Sequence, residues 1–210
     1  MKVTIVYDNE VCRDDLKADW GFSALVEFEG KKILFDTGAS GSILQHNMER
    51  LGIDPEAIDD VFISHSHFDH TGGLVFLLYS NNRLKLWVPY IFPEIRGVKT
   101  IRVKDPVKLY NGVYSTGVID NIEHSLCITT SKGVVIIAGC SHPKLSHILN
   151  KASLFGDVFG IIGGMHSNSP DQLKGLKLIC PTHCTQYVNK IKKLYPENYI
   201  EGGAGRVIEI

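Results

Sequence analysis

The sequence predicts a single layered α/β domain over residues 1–210, with β-sheets inside and helices outside. Three features of the chain predict it. Short runs rich in Val, Ile and Phe recur, segments with apolar residues at helical spacing lie between them, and no low-complexity linker or Pro/Gly-rich hinge divides the chain. A length of 210 residues with 44% hydrophobic residues suits one large domain with a substantial core.

Ten short runs are expected to be β-strands, because each is rich in the β-branched and aromatic residues that strands prefer. They are residues 3–7, 23–29, 32–36, 60–64, 84–88, 125–130, 133–138, 157–163, 176–180 and 205–210. The tripeptides Glu29-Gly30-Lys31 and Ser131-Lys132-Gly133 have the composition of hairpin turns. The strands that flank each of these turns are therefore expected to pair antiparallel.

Helices are expected where apolar residues recur every three or four positions. These segments are 42–51, 74–79, 145–154 and 185–194. Gly52 follows the first of them as a stop signal, and Pro143 is expected in the first turn of the third. The proline-containing segment 81–111 is expected to form a rim over the functional pocket.

Composition excludes several classes of function. A formal net charge of −1 provides no overall basic field for a nucleic-acid backbone. No apolar run reaches the roughly eighteen residues of a membrane span, and the N-terminal segment lacks the pattern of a secretory signal. The five cysteines form no CxxC pair, which argues against a disulfide framework. We therefore expect a cytoplasmic protein that binds neither nucleic acid nor membrane.

The segment FISHSHFDHTGG, residues 62–73, concentrates four metal-capable side chains behind an apolar run. His65 and His67 are two positions apart in an extended segment, so their rings point to one side. Asp69 and His70 follow as the chain turns toward a helix. Burying these groups without a partner would be costly, so a metal ion is expected here. The donors suit zinc, with iron and manganese as alternatives, and the two glycines allow backbone to pass close to the site.

Further polar side chains follow other predicted strands. His142, His166 and His183 each come after the carboxyl end of a strand, and Asp36 is in the same position. Functional sites of layered α/β folds collect at such strand ends. Because the local motif cannot supply every ligand of two metal positions, these residues are the candidates for the rest.

Together these residues resemble the metallo-β-lactamase superfamily of metal-dependent hydrolases. The shared features are FDTG at 35–38, HSHFDH at 65–70, and the later histidines His142 and His183. The resemblance implies a four-layer αββα sandwich, two mixed sheets flanked by helices, with one or two metal ions. The ligands that it implies are, for the first position, His65, His67 and His142, and, for the second, Asp69, His70 and His183. It also implies that Asp36 supports the ligand loops.

Two further features of the sequence indicate which members of the superfamily it resembles most. Redox di-iron members resemble this pattern but carry Glu where His67 stands, which favours hydrolytic chemistry. The segments GCSHP, GGMH and PTHCT look like a subgroup whose members are often labelled dihydropterin-ribofuranosyl-aminobenzene-phosphate synthases. That subgroup implies an alternative reaction, in which a pterin diphosphate condenses with an aryl amine.

One position departs from the superfamily pattern. Many members have an aspartate that bridges the two metals, but residues 158–169, VFGIIGGMHSNS, contain no carboxylate. His166 stands in that stretch, either as a metal ligand, as a contact to the substrate, or as a structural histidine. Cys140 and Cys184 are either substitute ligands or small core residues.

We predict a metal-dependent hydrolase that acts on an ester, a phosphoester or a related small molecule, with anionic molecules among the candidate substrates. Asp69 is expected to orient the attacking water or accept its proton, and His166 to assist the developing oxyanion or an anionic group. The alternatives are the condensation reaction and a non-catalytic ligand-binding protein. Trp20 is expected in the core, with a place in the pocket lining as the alternative. The pair Glu123-His124 is expected in a solvated turn, with a place facing the site as the alternative. The sequence leaves the oligomeric state open.

Overall fold

The computed structural model describes residues 1–210 and consists of two β-sheets packed face to face, with helices on both outer faces. The first sheet has seven strands in the spatial order β13-β1-β2-β3-β4-β5-β6. In chain order, its strands are β1 (Lys2–Tyr7), β2 (Ser23–Phe28), β3 (Lys31–Phe35), β4 (Asp60–Phe62), β5 (Lys85–Pro89), β6 (Thr100–Val103) and β13 (Val207–Glu209).

The second sheet has six strands in the spatial order β12-β11-β10-β9-β8-β7. In chain order, they are β7 (Val107–Tyr110), β8 (Val113–Ser115), β9 (Leu126–Thr130), β10 (Gly133–Ala138), β11 (Val158–Gly164) and β12 (Leu178–Thr182). Both sheets mix parallel and antiparallel pairs, since β3 is antiparallel to β2 but parallel to β4, and β10 is antiparallel to β9 but parallel to β11.

Five α-helices complete the fold: α1 (Gly41–Leu51), α2 (Phe68–Thr71), α3 (Leu74–Ser80), α4 (Leu145–Ala152) and α5 (Val188–Leu194). Short 3-10 segments lie at Pro55–Ala57, Ser153–Phe155 and Pro170–Leu173. None of the helices combines the length and the apolar character needed to cross a bilayer.

Three hydrophobic cores define the layers. The central core of 17 buried residues draws on strands of both sheets and lies between them. A second core joins the first sheet to α1 and α3, and a third joins the second sheet to α4 and α5. The predicted four-layer αββα sandwich is therefore confirmed.

The β10 strand shows how the sequence builds two cores at once. Val135 and Ile137 point into the central core, whereas Val134, Ile136 and Ala138 pack under the helices. Successive side chains of a strand point to opposite faces, so a strand covered on both sides reads as a continuous apolar run. Complete burial of each larger side chain contributes about 1.5–3 kcal/mol.

The predicted hairpins are present. Glu29 and Gly30, at φ of 48° and 74°, both adopt the left-handed conformation, and they join the antiparallel pair β2 and β3. Two consecutive left-handed residues match the twist of the flanking strands. The turn before Gly133 likewise forms a hairpin, because it joins the antiparallel strands β9 and β10.

The structure corrects several boundaries. The segment 81–111 is not only a rim, because it supplies β5 together with β6 and β7, the edge strands of the two sheets. The strands β6, β7 and β8 were not predicted, since each has only three or four residues and β6 and β7 carry an exposed basic residue. Helix α4 begins at Leu145, so Pro143 precedes it rather than lying in its first turn, and α5 begins at Val188 instead of residue 185.

The parallel strands of each sheet place the site. The strands β3, β4 and β5 run in one direction in the first sheet, as do β10, β11 and β12 in the second. The carboxyl ends of β4, β10 and β12 open onto the same region, because histidines that follow these strands lie against one another across the two sheets. That region contains every side chain predicted to bind a metal.

Candidate metal centre

The loop after β4 and the short helix α2 carry the central motif. Asp69 and His70 lie on α2, directly after the extended residue His67. Gly72, at the end of α2, packs against the backbone of Ala39, and a Cβ there would overlap the Ala39 carbonyl group. The predicted close passage of backbone is thus present, and it holds α2 against the loop that follows β3.

The first group of histidines converges as predicted. Nε2 of His65 lies 3.0 Å from Nδ1 of His67. The ring centroid of His142 is 4.9 Å from that of His65 and 4.8 Å from that of His67. His142 therefore reaches the motif from the second sheet.

The second group forms beside it. Oδ2 of Asp69 lies 3.2 Å from Nε2 of His183 and 3.8 Å from Nε2 of His70. The rings of His70 and His183 are 5.0 Å apart, and those of His70 and His65 are 4.2 Å apart. The two groups are therefore adjacent, and residues from both sheets contribute to each.

His166 lies at the edge of this cluster. Its ring centroid is 5.0 Å from that of His142, and its backbone is in the left-handed conformation at φ 44°. Like the predicted ligands His67 and Asp69, it is not one of the residues whose donor atoms group around a common point. Strained backbone of this kind in a non-glycine residue concentrates at functional sites.

Asp36 and Ser64 fix the orientation of two rings. Oδ2 of Asp36 accepts hydrogen bonds from Ser64 Oγ and from His70 Nδ1, each at 2.7 Å. Since the Ser64 hydroxyl has one hydrogen and gives it to Asp36, it accepts the bond from Nδ1 of His65, at 2.9 Å. Both histidines consequently direct Nε2 into the cluster, which is the supporting role expected of Asp36.

Asn9 fixes the orientation of the His183 ring, a role that was not predicted from the sequence. Its Oδ1 accepts a hydrogen bond from Nδ1 of His183 at 3.0 Å and another from the Gly21 backbone N–H at 3.2 Å. The Asn9 amide donates in turn to the His183 carbonyl oxygen at 3.0 Å. Nε2 of His183 is left free to face Asp69.

Glu123 supports the loop that carries His142. The prediction of a solvated turn was wrong, because Glu123 and His124 are both completely buried. The two carboxylate oxygens of Glu123 accept the backbone N–H groups of Ser141 and His142, at 2.9 and 3.1 Å. Burial raises the pKa of Glu123 to about 7, although these hydrogen bonds favour its charged form.

Replacing Glu123 by glutamine should destabilise the metal-free protein. The amide can accept only one of the two N–H groups and presents its own donors to the other, so a buried donor loses its partner. We expect the free energy of unfolding to fall by about 1–3 kcal/mol, measured by urea denaturation. Glu56→Gln is the matched control at an exposed position; an equal loss in both variants would contradict the assigned role.

Trp20 contacts the histidine cluster from the loop between β1 and β2. The prediction that it lies in the core was wrong, because 51% of the residue is exposed. Its indole N–H donates to Oδ2 of Asp69 at 2.9 Å, and its ring lies 4.9 Å from that of His183. Trp20 therefore orients the carboxylate that faces two of the histidines.

Replacing Trp20 by phenylalanine should weaken metal binding at the second position by about 10–100-fold, because Asp69 loses the donor that orients it. Thermal stability should change little, since the side chain is half exposed. Metal affinity is measured by competition with a chromophoric chelator. Tyr79→Phe, at a residue that is 89% exposed, is the control; wild-type affinity in the Trp20 variant would contradict this role.

The electrostatics of the cluster favour metal binding. Burial and the neighbouring imidazoles lower the pKa of His65, and the same causes lower the pKa of His142 to about 4. Burial also lowers the pKa of His183. Although burial opposes it, the contact with His183 keeps the pKa of Asp69 below its ordinary value. Neutral imidazoles and an ionised carboxylate are the forms in which these side chains bind metals. His70 is the exception, because, although burial opposes the shift, the contact with Asp36 raises its pKa.

Two atoms of the cluster lack a partner. Nε2 of His142 and Nε2 of His183 are buried and make no hydrogen bond; the 3.2 Å contact of the latter with Asp69 does not have hydrogen-bonding geometry. Buried polar atoms are rarely left unpaired in native proteins. Both nitrogens, together with an imidazole-rich donor set, fit a divalent metal ion such as zinc.

Comparisons with known proteins agree with this geometry. Residues 20–148 match the family model described as the metallo-beta-lactamase superfamily. One relative is the 7,8-dihydropterin-6-methyl-4-(beta-D-ribofuranosyl)-aminobenzene-5'-phosphate synthase of Methanocaldococcus jannaschii. It is 29% identical over 262 residues, covering 90% of this chain and 89% of that protein.

Solved structures share the fold. Tm1679, described as a metal-dependent hydrolase of the beta-lactamase superfamily, superposes with a TM-score of 0.74 at 23% identity, covering 100% of this chain and 99% of the other. Zn²⁺-bound PqqB from Methylobacterium extorquens superposes with a TM-score of 0.67 at 14% identity, covering 100% of each chain. At these identities the similarity establishes the architecture alone.

Proposed function

We propose that this chain, which belongs to the metallo-β-lactamase superfamily, is a metal-dependent hydrolase. Its proposed substrate is a small anionic molecule with an ester or phosphoester bond. One observation carries the proposal. Side chains that follow separate strands converge in one place, where Nε2 of His142 and Nε2 of His183 are buried without a hydrogen-bond partner. Zinc is the metal that the donor set favours, and iron and manganese are the alternatives.

The residues divide into two adjacent sets. His65, His67 and His142 would hold the first metal position, and Asp69, His70 and His183 the second. A divalent metal ion lowers the pKa of water toward about 7 and polarises a carbonyl or phosphoryl oxygen. The protein supplies the fixed orientation of each ligand, through Asp36, Ser64, Asn9 and Glu123.

Asp69 is the proposed catalytic base. The residue is 7% exposed, and the surrounding imidazoles keep its carboxylate ionised. The Trp20 indole N–H holds Oδ2 in place by a hydrogen bond of 2.9 Å. A carboxylate held in this way can orient a water molecule for attack and accept its proton.

A small polar cavity beside His142 supports an anionic substrate. It has a volume of about 250 Å³ and no hydrophobic lining residue. The residues that line it are Ser141, His142, Lys144, His166, Ser167 and Asn168. The Lys144 ammonium and the His166 ring can bind a phosphate or carboxylate of the substrate, with His166 placed to stabilise charge that develops next to the metal site.

A second candidate is the condensation of a pterin diphosphate with an aryl amine. It is favoured by the 29% identity to the synthase of Methanocaldococcus jannaschii, which extends over 90% of this chain. The same ligands would then serve departure of the diphosphate rather than attack by water. The polar cavity suits the phosphate groups of either substrate class.

The two reactions differ in what attacks the substrate. The zinc-loaded protein should be incubated with pterin diphosphate and with a panel of phosphoesters, thioesters and lactams, in isotopically labelled water, with and without an aryl amine. Hydrolysis incorporates label from water into the product and needs no amine, whereas condensation yields an amine adduct. Bound metal with no turnover in any reaction would contradict both candidates and favour a ligand-binding protein.

A further inference from the structure

Cys140 lies where the two sets of ligands meet. Its Sγ belongs to a group with donor atoms of His65 and His142, and to a second group with donor atoms of His70 and His183. Within each group all donor atoms lie within 4.8 Å of one another. No other residue belongs to both groups.

We propose that the Cys140 thiolate binds both metal positions as a shared ligand, in place of the carboxylate that residues 158–169 lack. The inference rests on the metal centre of the proposed function and adds a ligand to it. Binding breaks the S–H bond of Cys140 and forms two metal–sulfur bonds, and the thiol proton is released to solvent.

The contacts of Cys140 support this assignment over that of a small core residue. Sγ lies 3.1 Å from Nε2 of His70, a nitrogen directed into the cluster by the bond from Nδ1 to Asp36. Two ligands at about 2.0–2.3 Å from one zinc ion in tetrahedral geometry are themselves separated by roughly 3.4–3.7 Å. A sulfur and a nitrogen that are already close need only a small adjustment to bind one ion.

The backbone holds Cys140 in this place. Gly139, the residue before it, packs against Ser64 and Asp36, and a Cβ there would overlap the Ser64 hydroxyl group. The Gly164 N–H donates to the Gly139 carbonyl oxygen at 3.0 Å, which ties the loop to β11. Cys140 is 3% exposed, so its sulfur is shielded from solvent, and the contact with Nε2 of His70 shows that it faces the cluster.

The other residues that could replace a bridging carboxylate are less well placed. The ring of His166 lies beside His142 only, and the residue belongs to neither ligand group. Cys184 also belongs to neither group, and its Sγ lies 3.6 Å from the Cys140 carbonyl oxygen. A shared thiolate would favour zinc over manganese, because soft sulfur ligands prefer zinc.

Cobalt substitution tests the proposal without any measurement of activity. The metal-free protein is titrated with Co²⁺, and a sulfur-to-cobalt charge-transfer band is followed in the near ultraviolet. For a shared thiolate we expect the band to grow through the second equivalent of Co²⁺. The band should be lost in Cys140→Ser and in Cys140→Asp, and retained in the matched control Cys184→Ser. Cys140→Asp should still bind two ions, because a carboxylate can also bridge.

Elemental analysis of the same samples separates the possible failures. A wild-type protein that binds no metal overturns the proposed function together with this inference. Bound Co²⁺ without the band, a band that persists in Cys140→Ser, or a band complete at one equivalent overturns the inference alone. If the Cys140 variants do not fold, X-ray absorption of the zinc-loaded wild type decides, since a sulfur ligand appears at about 2.3 Å from zinc.

Discussion

Replacing His67 and His142 together by alanine is expected to abolish tight metal binding at the first position. The two rings lie 4.8 Å apart and come from different sheets, so the double replacement leaves His65 as the only one of the three proposed ligands at this position. Turnover should fall on the order of 10³-fold or more, because a metal ion contributes several kcal/mol of transition-state stabilisation. Metal content is measured by elemental analysis after dialysis against a weak chelator.

His147→Ala is the matched control for this double variant. His147 is an exposed histidine on α4 that contacts Asp120 at 3.0 Å and takes no part in the cluster. Its removal should leave both metal content and turnover unchanged. Full metal occupancy in the His67/His142 variant would refute the first metal position.

Replacing Asp69 by asparagine should preserve the fold and reduce turnover by about 10²–10⁴-fold. The amide oxygen can still accept the Trp20 indole N–H, so local geometry is retained. The charge that faces His183 and His70 is lost, and an amide cannot accept a proton from water at neutral pH. Steady-state kinetics and circular dichroism measure the two effects separately.

Asp157→Asn controls for the general effect of removing a carboxylate. Asp157 is exposed and precedes β11, at the end of the strand opposite the metal cluster. It should retain wild-type turnover. Unchanged catalysis in Asp69→Asn would remove the role proposed for Asp69 as the base.

The layered fold and the metal-ligand candidates were predictable from sequence because their signals are local. The strands are continuous apolar runs, and all ten predicted strands are present to within a few residues. The motif at 62–73 places four donors within six positions. His142 and His183 were recognisable because each follows a buried strand, and the structure brings both to the motif. Their role as metal ligands remains a prediction.

The supporting residues could not be predicted in the same way. Asn9 and His183 are 174 positions apart, and their hydrogen bond exists only because β1 and β12 bring their ends together. Glu123 and Trp20 each look ordinary in sequence. Only the tertiary structure shows that Glu123 accepts a hydrogen bond from the Ser141 backbone N–H and that the Trp20 indole N–H donates to Asp69. The edge strands β6 and β7 were missed because backbone pairing, rather than apolar periodicity, defines them.

The position of Trp20 gives the protein a built-in optical probe. The chain has two tryptophans, and the indole of Trp87 is bound to Asp60 at 2.8 Å within the first sheet. Trp20 instead donates to Asp69, and its ring lies 4.9 Å from that of His183 at a tilt of 57°, so its fluorescence will respond when the surroundings of those two side chains change. Emission from Trp87 provides an internal reference, and occupancy of the centre can be followed in real time without an attached dye.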